Sequence, residues 1–259
     1  MRKVVKDFLH SLAAAIRKIQ YYGHSYQCPC CHSHLKMFLP YGDDHPVFTK
    51  MKVLSAGPRP NARCPVCGSL ERDRLLYLYL LHKTSTFRKP LKLLHVAPER
   101  SLERILSSQD HIEYVTSDLF RDDVMVRADL NSLPFPGNSF DAVICNHVIE
   151  YLADDRRAMA EIHRVLRPGG WAILLEQIAL ALDTTYEESR PLSREEQYAL
   201  YGEPGHVRLY GKDYHKRIEE VGFHVEVFQP STEDESFGGP GNTFGLLEGE
   251  SVYVGVKHV

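Results

Sequence analysis

The 259-residue chain carries 31 Lys and Arg against 34 Asp and Glu, for a formal net charge of -3 and a sequence pI near 6.5. This balance argues against a broadly basic nucleic-acid-binding surface and favours a small or discrete substrate. No apolar run reaches the ~18 to 20 residues that a membrane-spanning helix needs, so a soluble, cytoplasmic protein without a transmembrane segment is expected, with room for one ordinary domain plus a smaller module.

At the N-terminus, Val5, Phe8, Leu9, Leu12, Ile16 and Ile19 recur at helical spacing among Arg2, Lys3, Lys6, Arg17 and Lys18. Lys6, Asp7 and His10 interrupt the apolar stretch, so residues 1–27 read as an amphipathic docking helix and not as a secretion signal. A membrane-surface or partner-binding helix is the alternative.

Residues 28–89 form the next unit. Cys28-Pro29-Cys30-Cys31-His32-Ser33 and Cys64-Pro65-Val66-Cys67-Gly68-Ser69 are near repeats, each holding two thiols at a spacing that lets both face one ion. Two such corners supply Cys28, Cys31, Cys64 and Cys67 as the ligands of a tetrahedral structural zinc. A disulfide pair, free buried thiols, or His32 or His34 in place of Cys31 are the alternatives. A four-thiolate site has no open position, so it implies no zinc chemistry on a substrate. The separation leaves room for a hairpin across Met37 to Ser55. Leu70 to His82 then reads as a helix with Leu75, Leu76, Tyr79 and Leu80 on one face, docking the module onto the larger domain. Its charged first turn, Glu71 to Arg74, could instead border the active site.

From residue 90 to 259, apolar runs alternate with helical patterns, as in an α/β, Rossmann-like, mostly parallel sheet of seven strands. Strands are expected at Lys92–Ala97, Glu113–Ser117, Val124–Arg127, Phe140–Asn146, Trp171–Gln177, Phe223–Phe228 and Ser251–Lys257. Helices are expected at Ser101–Ser108, Asp154–Leu166 and Lys212–Val221. Ligands of such sheets lie beyond the carboxyl ends of the strands. Asp118 follows the second strand about 20 residues after the first turn, the spacing of a ribose-binding acid, although a plain turn role fits too. Leu180 to Pro204 reads as a partly helical lid, and Ser231 to Glu250 as a long Gly- and acid-rich loop that could be mobile.

Two segments carry a family resemblance. One runs from Arg127-Ala128-Asp129-Leu130-Asn131-Ser132-Leu133-Pro134-Phe135-Pro136 through Phe140-Asp141 to Asn146-His147-Val148-Ile149-Glu150-Tyr151; the other is Glu161 to Trp171, with Arg167-Pro168-Gly169-Gly170 at its end. Over about residues 91–178 the chain resembles the class I S-adenosylmethionine (SAM)-dependent methyltransferases of the type 11 branch. The resemblance implies SAM as cofactor, with Asp118 at its ribose, Asp129 accepting from its adenine amino group, Leu130 covering the ring, and Leu119 and Asn146 as further cofactor-binding residues. Where the family places glycines after the first strand, this chain has His95-Val96-Ala97-Pro98-Glu99. Pro98 can start a helix, and Glu99 could hold the methionine ammonium or simply complement the helix terminus.

His147, after the fourth strand, and His206 are the candidate catalytic bases. Glu150, Tyr151, Glu176, Arg208 and Tyr210 are the candidate substrate residues, with Arg208 suited to an anionic group. Many relatives have His where this chain has Tyr151. The leading expectation is methyl transfer to an O or N nucleophile of a small-molecule or glycan-type substrate. An RNA base methyltransferase with a zinc-ribbon recognition module is the second reading, opposed by the acidic balance. A non-catalytic scaffold that kept the fold is the third.

Overall fold

A computed structural model describes residues 13–258. Residues 13–20 are helical, but Ile16 and Ile19 are 56% and 81% exposed, so this stretch does not dock through them. Val5, Phe8, Leu9 and Leu12 lie outside the described residues.

Two short antiparallel pairs follow: β1 (Tyr26–Gln27) with β2 (His34–Leu35), and β3 (Leu39–Tyr41) with β4 (Arg59–Arg63). The expected hairpin is wider than residues 37–55 and encloses helix α1 (Pro46–Met51). His45 starts that helix, its Nδ1 accepting from the Val47 N–H at 3.2 Å, and Pro46 fits the first turn because its missing N–H would be unpaired there. Helix α2 (Glu71–His82) begins where the Asp73 carboxylate takes the Leu70 N–H at 3.1 Å. It buries Leu75, Leu76, Leu78 and Leu80 together with Leu93, Ile144, Ile173 and Val252. Each such side chain contributes roughly 1.5–3 kcal/mol by leaving water, so α2 forms part of the layer over one sheet face.

The central sheet contains β5 (Leu91–Val96), β6 (Ile112–Asp118), β7 (Val126–Arg127), β8 (Phe140–Asn146), β9 (Leu166–Leu175), β12 (Phe223–Phe228) and β13 (Val252–Lys257), in the order β12-β13-β9-β8-β5-β6-β7. Only β13 runs antiparallel to its neighbours. Leu93, Leu94, Ala142 to Cys145 and Ala172 to Leu174 are fully buried, as continuous apolar strands covered on both faces must be. The covering helices include α3 (Arg100–Leu106), α4 (Asp155–Val165) and, later in the chain, α6 (Tyr214–Glu219). Asp154 caps α4 by accepting from the Arg157 N–H at 3.0 Å, and Ala158, Met159, Ile162 and Val165 form its buried face.

Three departures have identifiable physical causes. Strand β7 is shorter than expected because the Met125 N–H bonds to Thr116 Oγ1 at 2.9 Å instead of joining the ladder. The Arg167-Pro168-Gly169-Gly170 turn lies inside β9, where a register shift between Phe140 and Ala142 absorbs it. A Cβ on Gly170 would stand 2.9 Å from the carbonyl oxygens of Arg167 and Asp141. The 231–250 segment is anchored: Thr243 O accepts from the Gln27 N–H at 2.8 Å, Phe237 is buried, and Glu250 bonds Ser55.

The segment from Leu180 to Pro204 is partly helical, with β10 (Tyr186–Glu187) paired with β11 (Arg208–Leu209), and with α5 (Arg194–Tyr201). Ser193 and Glu196 form a reciprocal cap at its start. Gly202 ends it at φ +84°, and a Cβ there would stand 2.3 Å from the Phe48 ring, so glycine is what allows α5 to pack on α1.

Candidate functional site

The sheet order reverses between β5 and β8, which makes the carboxyl ends of these strands the place to look for a ligand. At the end of β5 the non-glycine turn adopts a glycine-like backbone, with Ala97 at φ +48° and its N–H donating to Ser117 O at 2.7 Å. A left-handed alanine costs about 1–2 kcal/mol, so the ends of β5 and β6 hold a strained corner. Pro98 does not start the helix: Glu99 is the extended N-cap residue and α3 begins at Arg100, while the Pro98 carbonyl accepts from Arg121 at 2.7 Å.

The Glu99 side chain makes no cap bond and crosses the switch point instead. One oxygen meets His95 Nε2 at 2.8 Å and the other accepts from Asn146 Nδ2 at 3.0 Å. Burial would raise this carboxyl, but His95 and then Asn146 outweigh burial and hold it at about 2. Burial, with Glu103 and Glu99 nearby, pushes the Tyr114 hydroxyl well above its ordinary range, and that hydroxyl is hydrogen-bonded to His95 Nδ1 at 2.9 Å. The ionised Glu99 carboxylate can only accept, so His95 Nε2 donates to it. The Asn146 side-chain oxygen, buried beside Glu99, has no partner among the described residues.

At the end of β6, Asp118 Oδ1 accepts from the Phe120 and Arg121 N–H groups at 2.7 and 2.9 Å, the turn role weighed above. Leu119 and Phe120 beside it are exposed. Asp129 is exposed and accepts from the Asn131 N–H at 2.9 Å.

After β8 the chain turns sharply, with His147 at φ +52°. A cavity of about 510 Å³ opens there, lined by His147, Glu150, Tyr151 and Gln177 from the sheet side, and by Arg59, Arg72 and residues 40–43 and 55–57 from the cysteine-rich unit. His147 Nδ1 lies 3.3 Å from Glu150 Oε1, and His206 Nε2 lies 3.5 Å from the same oxygen. Burial opposes ionisation of Glu150, yet His147 and His206 hold it at about 2. Neighbouring Glu176 is pushed well above the ordinary carboxylate range by burial and by Glu150.

The two cysteine knuckles fold alike. The Cys28 and Cys64 N–H groups donate to Ser33 O and Ser69 O, the His32 and Gly68 N–H groups donate back to Cys28 O and Cys64 O, and both fifth positions are left-handed, at φ +55° and +83°. Sulfur separations of 3.7 Å for Cys28 and Cys67 and 3.8 Å for Cys31 and Cys64 match the roughly 3.8 Å edge of a tetrahedron with ~2.3 Å zinc–sulfur bonds. Cys30 points instead to Asp73 O at 3.9 Å, and His32 and His34 are exposed.

Residues 100–174 match the family model described as a methyltransferase domain. This part of the chain is similar to methyltransferase domains. The chain is 34% identical over 58 residues to the ubiquinone/menaquinone biosynthesis C-methyltransferase UbiE of Coxiella burnetii, covering 22% of this chain and 23% of that one. It is 34% identical over 108 residues to a demethylmenaquinone methyltransferase of Staphylococcus epidermidis, covering 42% and 39% of the two chains. The matches thus span less than two fifths of these relatives' lengths. Among solved structures, YcgJ of Bacillus subtilis is similar with a TM-score of 0.46 at 18% identity, over 71% of this chain and 99% of that one.

Around the central sheet several expected roles change. His95 is fully buried with both ring nitrogens engaged, so it reaches the cleft only through Glu99. Leu130 is buried in the core with Leu133 and Phe140, which removes it as a free cover for a ring. Arg208 is buried, and four of its five guanidinium N–H groups are taken by Ile149 O, Leu152 O, Ala153 O and Glu187, so it serves mainly to hold the backbone and does not line the cavity at His147. Tyr210 is fully buried, with its hydroxyl on Asp155 at 3.1 Å. His206 does not line the cavity; Tyr151 packs edge-on against it with ring centroids 4.5 Å apart. Arg59, Tyr41, Asp43 and Ser55 of the cavity wall were missed, because residues 40–59 carry no motif and reach the carboxyl end of β8 only through tertiary packing.

Proposed function

We propose that the chain transfers a methyl group from SAM to an oxygen or nitrogen of a polar small-molecule or glycan-type substrate. The observation that carries this reading is the cavity at the carboxyl end of β8, whose lining includes Asp43, Ser55, Arg59, Arg72, His147, Glu150, Gln177 and Glu203. A predominantly polar lining favours a hydroxyl- or amine-bearing substrate over an apolar acceptor. The names of the two curated relatives include a carbon methyltransferase, so the choice of acceptor atom rests on the cavity.

Bound SAM supplies an electrophilic methyl group on a positively charged sulfur. Glu99, ionised and fixed by His95 and Asn146, has lone pairs left for the methionine ammonium. Asp118 and Leu119 are assigned to the ribose side and Asp129 to the adenine amino group, each just beyond its strand. Methyl transfer needs an in-line nucleophile and a route for its proton. The corner formed by His147 and Glu150 is assigned that route, with Tyr151 shaping the cavity wall. Cys28, Cys31, Cys64 and Cys67 hold a structural zinc that keeps the opposite wall in place, a chemistry suited to a reducing cytoplasm. Residues 28–89 thus act as a zinc-binding module on a domain at 90–259. Calorimetry with S-adenosylhomocysteine tests the reading. The protein should bind it, Glu99→Ala should weaken binding by about tenfold, in line with ~1.4 kcal/mol for one charge-assisted contact, and unchanged affinity would remove Glu99 from the cofactor site.

A further inference from the structure

At the edge of the cavity, His147, Glu150 and Glu176 bring one ring nitrogen and two carboxylate oxygens within 4.8 Å of one another. Glu150 and Glu176 are each only 2% exposed, and two ionised carboxylates cannot share such a place without a positive partner. Hydrogen bonding leaves the set incomplete. Glu176 Oε1 accepts the Ile149 N–H at 3.0 Å, whereas Oε2 is buried without a partner among the described residues. The Nε2 of buried His206 also has no hydrogen-bond partner among the described residues, standing 3.5 Å from Glu150 Oε1 and 3.4 Å from Glu203.

We infer that His147, Glu150 and Glu176 bind a divalent cation of the hard to borderline class, such as Mg²⁺, Mn²⁺ or Fe²⁺. One nitrogen and two carboxylate oxygens suit these ions, whereas the thiolate cluster selects zinc. Both His147 and Glu150 line the cavity, so the remaining coordination positions face the space in which the substrate is proposed to lie. The inference rests on the methyl-transfer reading for its purpose. A substrate hydroxyl on the ion would lose its proton to water in the cavity more readily, the Lewis-acid effect known for metal-bound water, and His147 would then act as a ligand, with solvent in place of the His147–Glu150 corner as the proton acceptor. The alternative occupant is a proton on Glu176, which would neutralise the pair without any ion.

The test is a Mn²⁺ titration of the zinc-loaded protein followed by electron paramagnetic resonance, because thiolates do not select Mn²⁺. One Mn²⁺ per chain is expected, with ¹⁴N modulation of its spin echo from His147. Glu176→Gln, which keeps an oxygen for the Ile149 N–H, should weaken binding by at least about tenfold. No binding at millimolar Mn²⁺, binding without nitrogen modulation, or unchanged affinity in folded Glu176→Gln would each overturn the site. If that variant fails to fold, the spin-echo signal of the unaltered protein decides alone. S-adenosylhomocysteine binding in the same preparation reports separately on the methyl-transfer reading: Mn²⁺ bound without it would sink that reading and leave the cation site standing.

Discussion

Ala97 takes the left-handed conformation that glycine would take without strain, and Glu99 ties the ends of β5 and β8 together through His95 and Asn146. Because the Glu99 carboxyl is held at about 2 against its ordinary 4.5, its stabilisation is complete above about pH 4.5 and is lost as pH falls toward 2. The expected size is on the order of 3 kcal/mol. Urea unfolding of the wild type and Glu99→Gln at pH 6 and pH 3 checks this: the wild-type advantage should shrink at the lower pH, and a gap that stays constant would mean that the carboxylate is not stabilised by its neighbours. The presence of an acid at position 99 is legible in the sequence. Its direction is not, because a helix-capping Glu and a cleft-crossing Glu look alike until Asn146 arrives from another strand.

Helix α2 is where the cysteine-rich unit and the sheet become one structure. Its Arg74 is fully buried, donating to Phe244 O at 2.7 Å, Ala62 O at 2.9 Å, Ser69 O at 3.0 Å and to Gly245 O, with its guanidinium 3.9 Å from the Phe38 ring centroid. Replacing Arg74 by Met keeps the length and leaves four carbonyls without their donor. The expected loss is ~3 to 5 kcal/mol, or roughly 10 °C in Tm. Thermal unfolding followed by circular dichroism measures it, and a shift under a couple of degrees would show that water replaces the guanidinium. The same arginine explains why the 231–250 segment is anchored: a glycine-rich composition suggests looseness, but its carbonyls are claimed by a side chain about 170 residues earlier in the chain.

For the molecule as a whole, the cavity has one wall from the carboxyl end of the central sheet and one from the chain between the two knuckles, including Tyr41, Asp43 and Arg59. If four thiolates hold zinc, one equivalent should be released by a strong chelator, with a colorimetric thiol-modification assay reporting release. The Tm of the chelated protein should fall, since structural zinc contributes folding free energy directly. An unchanged Tm after complete release would detach the knuckles from the stability of the cavity wall.

Local pattern was enough to determine the strand and helix alternation, the exact span of Phe223–Phe228, the two-knuckle thiol set and the acidic residues that follow the strands. These depend on neighbours in sequence: apolar period, glycine and proline punctuation, and C-x-x-C spacing. Tertiary structure alone decided that Arg208 and Tyr210 serve the scaffold, that Glu176 meets Glu150, and that residues 40–59 face His147. Burial and hydrogen-bond partnership are set by segments far apart in the chain, and a side chain's chemistry is available to a ligand only when those distant partners leave it free.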